Sequence, residues 1–130
     1  MLNSLYMIAT PLGNLGDVTL RALDEMRRIE IFFAEDSREF HKLLQALNIP
    51  IEGKRIFSYA SHNLKEATEK AVHFLQEGHT VGLVSDRGTP ALSDPGARLA
   101  KRAREEGFKI IPIPGVSSVA TLISVCGLDS

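Results

Sequence analysis

"TVGLVSDRGTPALSDPG", residues 80–96, starts as a buried strand and ends as the opening of a helix. Residues 80–84 form a short apolar, β-branched run of the kind that fills the centre of a sheet. The next twelve positions, 85–96, hold two glycines, two prolines and three acidic or basic charges, Asp86, Arg87 and Asp94. Connections in compact domains are usually shorter, and long ones tend to carry function. The far end of the stretch is a helix start. Asp94 can cap, Pro95 suits the first helical position, and Gly107 ends the helix after Glu106.

The same pattern repeats on either side of this stretch. Apolar runs at 5–9, 29–34, 55–59 and 109–113 predict four more strands. Between them fall helical patterns. The first, 18–28, places Leu20, Leu23 and Met26 on one face, with Asp17 as its cap. The second runs over 38–47, ending before Asn48 and Pro50. The third starts after Asn63, where Asn63 and Glu66 have capping-box spacing, and stops at Gly78. A fifth helix is predicted over 118–126, ending at Gly127. Strands alternating with helices imply right-handed βαβ crossovers. The expected fold is α/β: a five-stranded, mostly parallel sheet with helices on both faces.

The bulk numbers suit that fold. A chain of 130 residues with 44% hydrophobic and 24% charged side chains is expected to form one α/β domain, residues 1–130, with its own core. A formal net charge of -1 gives no overall basic field for nucleic acid, which leaves room for a local basic patch. The single cysteine, Cys126, excludes an internal disulfide framework and reads as a small buried hydrophobe. No apolar run is long enough for a membrane helix, and the first residues lack the basic start of a secretory signal. A cytoplasmic protein with no membrane partner is expected.

In a parallel sheet, ligands bind beyond the carboxyl ends of the strands. Five segments follow the five strands: "ATPLGN" (9–14), "EDSR" (35–38), "SHN" (61–63), residues 85–96 and "PGVSS" (114–118). If the strands are parallel, all five meet at one edge. Neither a dinucleotide fingerprint nor a P-loop occurs among them, and the four histidines lack metal-ligand spacing. Glu35 and Asp36 are adjacent at a strand end, so at most one of the two faces the crevice, and the other caps the next helix or pairs with Arg38. His62 reads first as a loop histidine. Lys101, Arg102 and Arg104 read as the solvated face of the fourth helix, with a weak phosphate-binding hint.

These loops, in this order, resemble the tetrapyrrole methylase superfamily of S-adenosylmethionine-dependent enzymes, and most closely its ribosomal RNA branch. The resemblance rests on residues 9–15 (ATPLGNL), 20–23 (LRAL), 34–38 (AEDSR), 42–44 (KLL), 84–86 with 88–90 (VSD, GTP), 93–96 (SDPG) and 112–118. It implies a methyltransferase that modifies a cytidine ribose 2′-hydroxyl in 16S ribosomal RNA. Cofactor contacts are implied for Pro11, Leu12, Gly88, Thr89, Leu92, Ser117 and Ser118. Glycine admits a close ligand, hydroxyls can fix its polar groups, and Leu92 offers an apolar wall.

A ribose hydroxyl is a poor nucleophile, so a general base is expected. Asp86 and Asp36 are the first candidates, with His62 behind them, and no metal is required. Arg87 departs from the family pattern, where a small residue is usual. The family pairs this domain with a second one beyond residue 130. The chain is therefore read as the N-terminal half of a two-domain methylase, with the small ribosomal subunit or its RNA as substrate and a homodimer expected by analogy. Two other readings stay open: a methylase of a tetrapyrrole or other small molecule, and a non-catalytic binding module. The apolar segment 119–125 reads either as the cover of a domain or dimer interface or as an ordinary core helix.

Overall fold

The computed structural model describes residues 4–10, 18–85 and 94–113. Five strands form one sheet: β1 (Ser4–Ala9), β2 (Ile31–Ala34), β3 (Arg55–Ser58), β4 (Val81–Ser85) and β5 (Lys109–Ile113), in the order β3-β2-β4-β1-β5. Every pairing is parallel, so the expected "mostly parallel" sheet is fully so among the described residues. The helices α1 (Leu20–Arg28), α2 (Ser37–Ala46), α3 (Leu64–Gln76) and α4 (Asp94–Glu105) fill the connections, with a 3₁₀ turn over Ser61–Asn63 before α3.

The sheet is buried on both faces because successive side chains alternate between two cores. On one face, Ala22 and Met26 of α1 and Phe40 and Leu44 of α2 pack with Ile8, Phe32, Val84 and Ile113. On the other, Ala67, Ala71 and Leu75 of α3 and Leu99 and Ala103 of α4 pack with Leu5, Met7, Phe33 and Leu83. The path from β1 through β2 to β3 steps outward with α1 and α2 on the first face. It then returns through β4 to β5 with α3 and α4 on the second. A change of direction matched by a change of face keeps one handedness of crossover throughout.

Several helix ends differ from the sequence expectation, each for a local reason. Thr19, not Asp17, is the N-cap of α1: its hydroxyl accepts the Ala22 N–H at 3.1 Å. That start sets the phase of the helix, so Ala22 and Met26 turn inward while Leu20 stands 80% exposed rather than lining the core. Ile29, expected to open β2, is the C-cap of α1, its N–H bonded to Glu25 O at 2.9 Å. Asn63 forms no capping box with Glu66. Its Oδ1 accepts the Ala60 N–H at 2.8 Å and its amide nitrogen donates to Ser58 O at 3.1 Å, which shapes the turn ahead of α3. Gly78 and Gly107 do end α3 and α4, with φ of 100° and 89°. The expected helix over 118–126 lies outside the described residues, as do Cys126 and the segment 119–125.

Two core positions yield tests. Gly82, in the central strand, leaves room for a ring on the neighbouring strand: a Cβ there would lie 2.9 Å from Phe32 Cδ1 and 3.1 Å from Cε1. Phe32 is fully buried and cannot move aside. Gly82→Ala is expected to cost about 1–3 kcal/mol in denaturant unfolding, the usual range for overpacking. Tyr59, immediately after β3, is buried with its hydroxyl bonded to nothing among the described residues. Burial, reinforced by the Glu35 charge and opposed by Arg98, holds its phenol well above the ordinary tyrosine range. A phenol that ionises more readily unfolded than folded leaves stability intact below about pH 10 and erodes it as pH rises further. Tyr59→Phe should gain about 1 kcal/mol at neutral pH by removing an unsatisfied hydroxyl. It should also move the alkaline unfolding midpoint to higher pH.

Candidate functional site

With all strands parallel, the segments after them open at one edge of the sheet. The register brings those ends level: Ala9 pairs with Ser85, and Ala34 with both Val84 and Ser58. β4 lies between β2 and β1. The helices that follow β2 and β1 pack on the face opposite the helix that follows β4. Connections leaving neighbouring strands toward opposite faces open a crevice between them, the usual ligand position in open α/β sheets. The stretch 86–93 leaves directly from this central strand.

Of the expected site residues, Pro11, Leu12, Asp86, Gly88, Thr89, Leu92, Ser117 and Ser118 lie outside the described residues, as does Arg87. The structure places two others. Asp36 is the N-cap of α2, its Oδ1 accepting the N–H groups of Arg38 at 3.0 Å and Glu39 at 3.2 Å. His62 is exposed in the turn over Ser61–Asn63. Both stand on the carboxyl edge, on segments following neighbouring strands. The described residues contain no cluster of histidine, cysteine and carboxylate groups able to hold a metal.

The pair Glu35-Asp36 divides as adjacent residues should. Asp36 turns back onto its own helix, while Glu35 is half-buried and close enough to Tyr59 for its charge to act on the phenol. Phe33 and Glu35 alternate along β2 and its end, as Phe57 and Tyr59 do along β3, and Tyr59 N–H donates to Ala34 O at 2.8 Å. Sequence reasoning weighed Glu35 only as half of a pair and did not single out Tyr59. The signal was the two-residue alternation carried one step past each strand.

Arg102 is not a free phosphate ligand. Its guanidinium makes a two-pronged contact with Glu69 of α3, both distances 3.1 Å, and reaches Glu106 at 2.7 Å. Hydrogen bonds to those carboxylates raise its already high pKa. Gln76 adds a 3.0 Å contact to Glu106, so these side chains join α3 to α4.

A cavity of about 140 Å³ opens between the sheet and the start of α3, lined by Phe33, Phe57, Ser58, Asn63, Glu66, Ala67 and Lys70. No local pattern marks it, because its walls come from β2, β3, the turn over Ser61–Asn63 and α3.

The comparisons with known proteins agree with this arrangement. The model of the tetrapyrrole (corrin/porphyrin) methylases matches residues 4–130. Ribosomal RNA small subunit methyltransferase I of Neisseria meningitidis serogroup B is 47% identical over 126 residues, covering 97% of this chain and 42% of that protein. Its namesake from Escherichia coli O157:H7 is 40% identical over 126 residues, covering 97% and 43%. The chain thus spans less than half the length of these two relatives. Among solved structures, cobalt precorrin-4 methyltransferase superposes with a TM-score of 0.72 at 23% identity, covering 94% of this chain and 49% of that one. Diphthine synthase does so with a TM-score of 0.69 at 20% identity, covering 97% and 48%. These structural likenesses speak for the fold. On the family match, the sheet and the relatives together, the chain belongs to the tetrapyrrole (corrin/porphyrin) methylase family.

Proposed function

We propose that this chain is the N-terminal domain of an S-adenosylmethionine-dependent methyltransferase that modifies the 2′-hydroxyl of a cytidine ribose in 16S ribosomal RNA. The observation that carries the proposal is the 47% identity, across 97% of the chain, to a ribosomal RNA small subunit methyltransferase. The same identity favours the RNA substrate over a tetrapyrrole or another small molecule. A second domain, a homodimer and a cytoplasmic setting beside the ribosome complete the proposal.

The bound cofactor supplies an activated methyl group. The chain's task is then to bind, orient and deprotonate, and orientation alone carries much of the rate in such a displacement. Pro11 and Leu12 after β1, Gly88, Thr89 and Leu92 after β4, and Ser117 and Ser118 after β5 are proposed to hold the cofactor. The order of the sheet supports this grouping, since β4, β1 and β5 are successive neighbours whose carboxyl ends adjoin. The RNA then approaches over the ends of β2 and β3, where Asp36 and His62 stand. Asp86 is the preferred general base because it adjoins the central strand, whereas Asp36 already serves two backbone amides through Oδ1.

Calorimetric titration with S-adenosylhomocysteine tests the cofactor assignment. Binding to this chain, or to a longer form carrying the second domain, is expected, with loss in Thr89→Trp. Absence of binding in both forms would leave a non-catalytic module instead. Methyl transfer to small ribosomal subunits tests the base. Asp86→Ala should lower turnover by about 10²–10⁴-fold, the usual contribution of a positioned base. Asp36→Asn, which keeps a capping side chain, should leave both turnover and melting temperature nearly unchanged. A collapse of turnover in Asp36→Asn would move the base to Asp36.

A further inference from the structure

We infer that the cavity between β2, β3 and the first turns of α3 is a subsite for one nucleobase, shaped for a pyrimidine that carries an exocyclic amino group. The inference rests on the proposed RNA substrate for the source of that base. At about 140 Å³ the cavity is close in size to those known to take up a benzene ring. That suits a single six-membered heterocycle and is too small for a whole nucleotide.

Its floor is aromatic. The Phe33 and Phe57 rings stack with centroids 5.1 Å apart and planes at 27°, and Phe74 backs Phe57 at 5.6 Å. The Lys70 ammonium lies over the half-buried Phe57 ring, 4.4 Å from its centroid, so a base that stacks there takes the place of that flexible side chain. Such ring faces stack bases without regard to sequence.

Selectivity comes from the rim. Glu66 and Lys70, one helical turn apart, are both exposed, and neither forms an ion pair among the described residues. A carboxylate can accept from the amino group of cytosine, and an ammonium can donate to a ring carbonyl. Uracil would set a carbonyl against the Glu66 carboxylate. Asn63 is held in place by its bonds to Ala60 and Ser58, so this side of the rim is rigid.

The position is also suitable. Ser58 ends β3 and Asn63 precedes α3, so the cavity stands near the carboxyl edge, two strands from β4. At about 4.8 Å per strand spacing, that is roughly 10 Å from the end of the central strand. A base that leaves its stack, as bases do for enzymes acting on nucleotides, reaches that far while its strand lies over the crevice.

Amide NMR of the isotope-labelled chain, without cofactor, tests the inference with cytidine 5′-monophosphate, uridine 5′-monophosphate and inorganic phosphate as probes. Cytidine monophosphate is expected to shift Ser58, Asn63, Glu66, Ala67 and Lys70, and to bind about tenfold more tightly than uridine monophosphate, the worth of one charge-assisted hydrogen bond. Glu66→Gln should bring the two nucleotides to equal affinity, since an amide can serve either base. Ala67→Met, which fills the cavity, should abolish the shifts, and Glu66→Gln keeps the test intact if that variant does not fold. Equal wild-type affinities, shifts elsewhere or none, or the same shifts with phosphate alone would overturn the subsite. The cofactor titration is separate, so failure of the methyltransferase proposal and failure of this subsite give different results.

Discussion

The structure depends on one constraint: a fully parallel sheet has to be covered on both faces, and every strand must leave at the same edge. β4 is the strand on which this is resolved. It is fourth of the five strands in the chain, yet it lies between β2 and β1 at the centre. The insertion works because Gly82 cedes its side-chain volume to Phe32, so the neighbouring strands come together without displacing a ring. Leu83 and Val84 then serve opposite cores. A sheet arranged this way delivers its loops to one place, and the candidate site follows from that geometry rather than from any single motif.

Polar groups are used to secure the periphery of this frame. Lys54, ahead of β3, donates to Arg27 O at 3.0 Å and Ile29 O at 2.6 Å, satisfying carbonyls at the end of α1. Burial lowers its pKa, which is the electrostatic cost of that position. Asp36 does the converse at the start of α2, where a carboxylate answers free N–H groups and the positive end of the helix dipole. Arg102 joins α3 to α4 through Glu69 and Glu106. Charges that look available in the sequence are thus partly committed to holding helices, and the groups left for ligands are fewer: Glu35, Glu66, Lys70 and Arg98 among them.

The likeness to cobalt precorrin-4 methyltransferase and to diphthine synthase is a likeness of fold, and the sheet they share has an edge with two sides. The ends of β1, β4 and β5 form one side of the edge and those of β2 and β3 the other. Tyr59, Glu35 and the aromatic-floored cavity all belong to the second side, where an unsatisfied buried hydroxyl is the sort of local cost that functional regions carry.

The five strands, the alternation that makes the sheet parallel, the glycine stops of α3 and α4 and the family are all legible in the amino-acid sequence. These are local matters: apolar runs, left-handed turns that favour glycine, and ordered motifs. It erred where a cap was chosen between near neighbours. Thr19 prevailed over Asp17, and Asn63, which does stand at the N-cap of α3 as expected, commits its side chain to the turn before it instead of a capping box. Leu20 went outward because one residue of phase is invisible to a pattern of spacing. The strand order, which of Glu35 and Asp36 caps α2, the tie of Arg102 to Glu69 and the cavity between Phe33, Phe57 and the start of α3 emerge only in three dimensions. The strand order, the tie and the cavity each depend on residues far apart in the chain meeting in space, and no local property of either partner encodes the meeting.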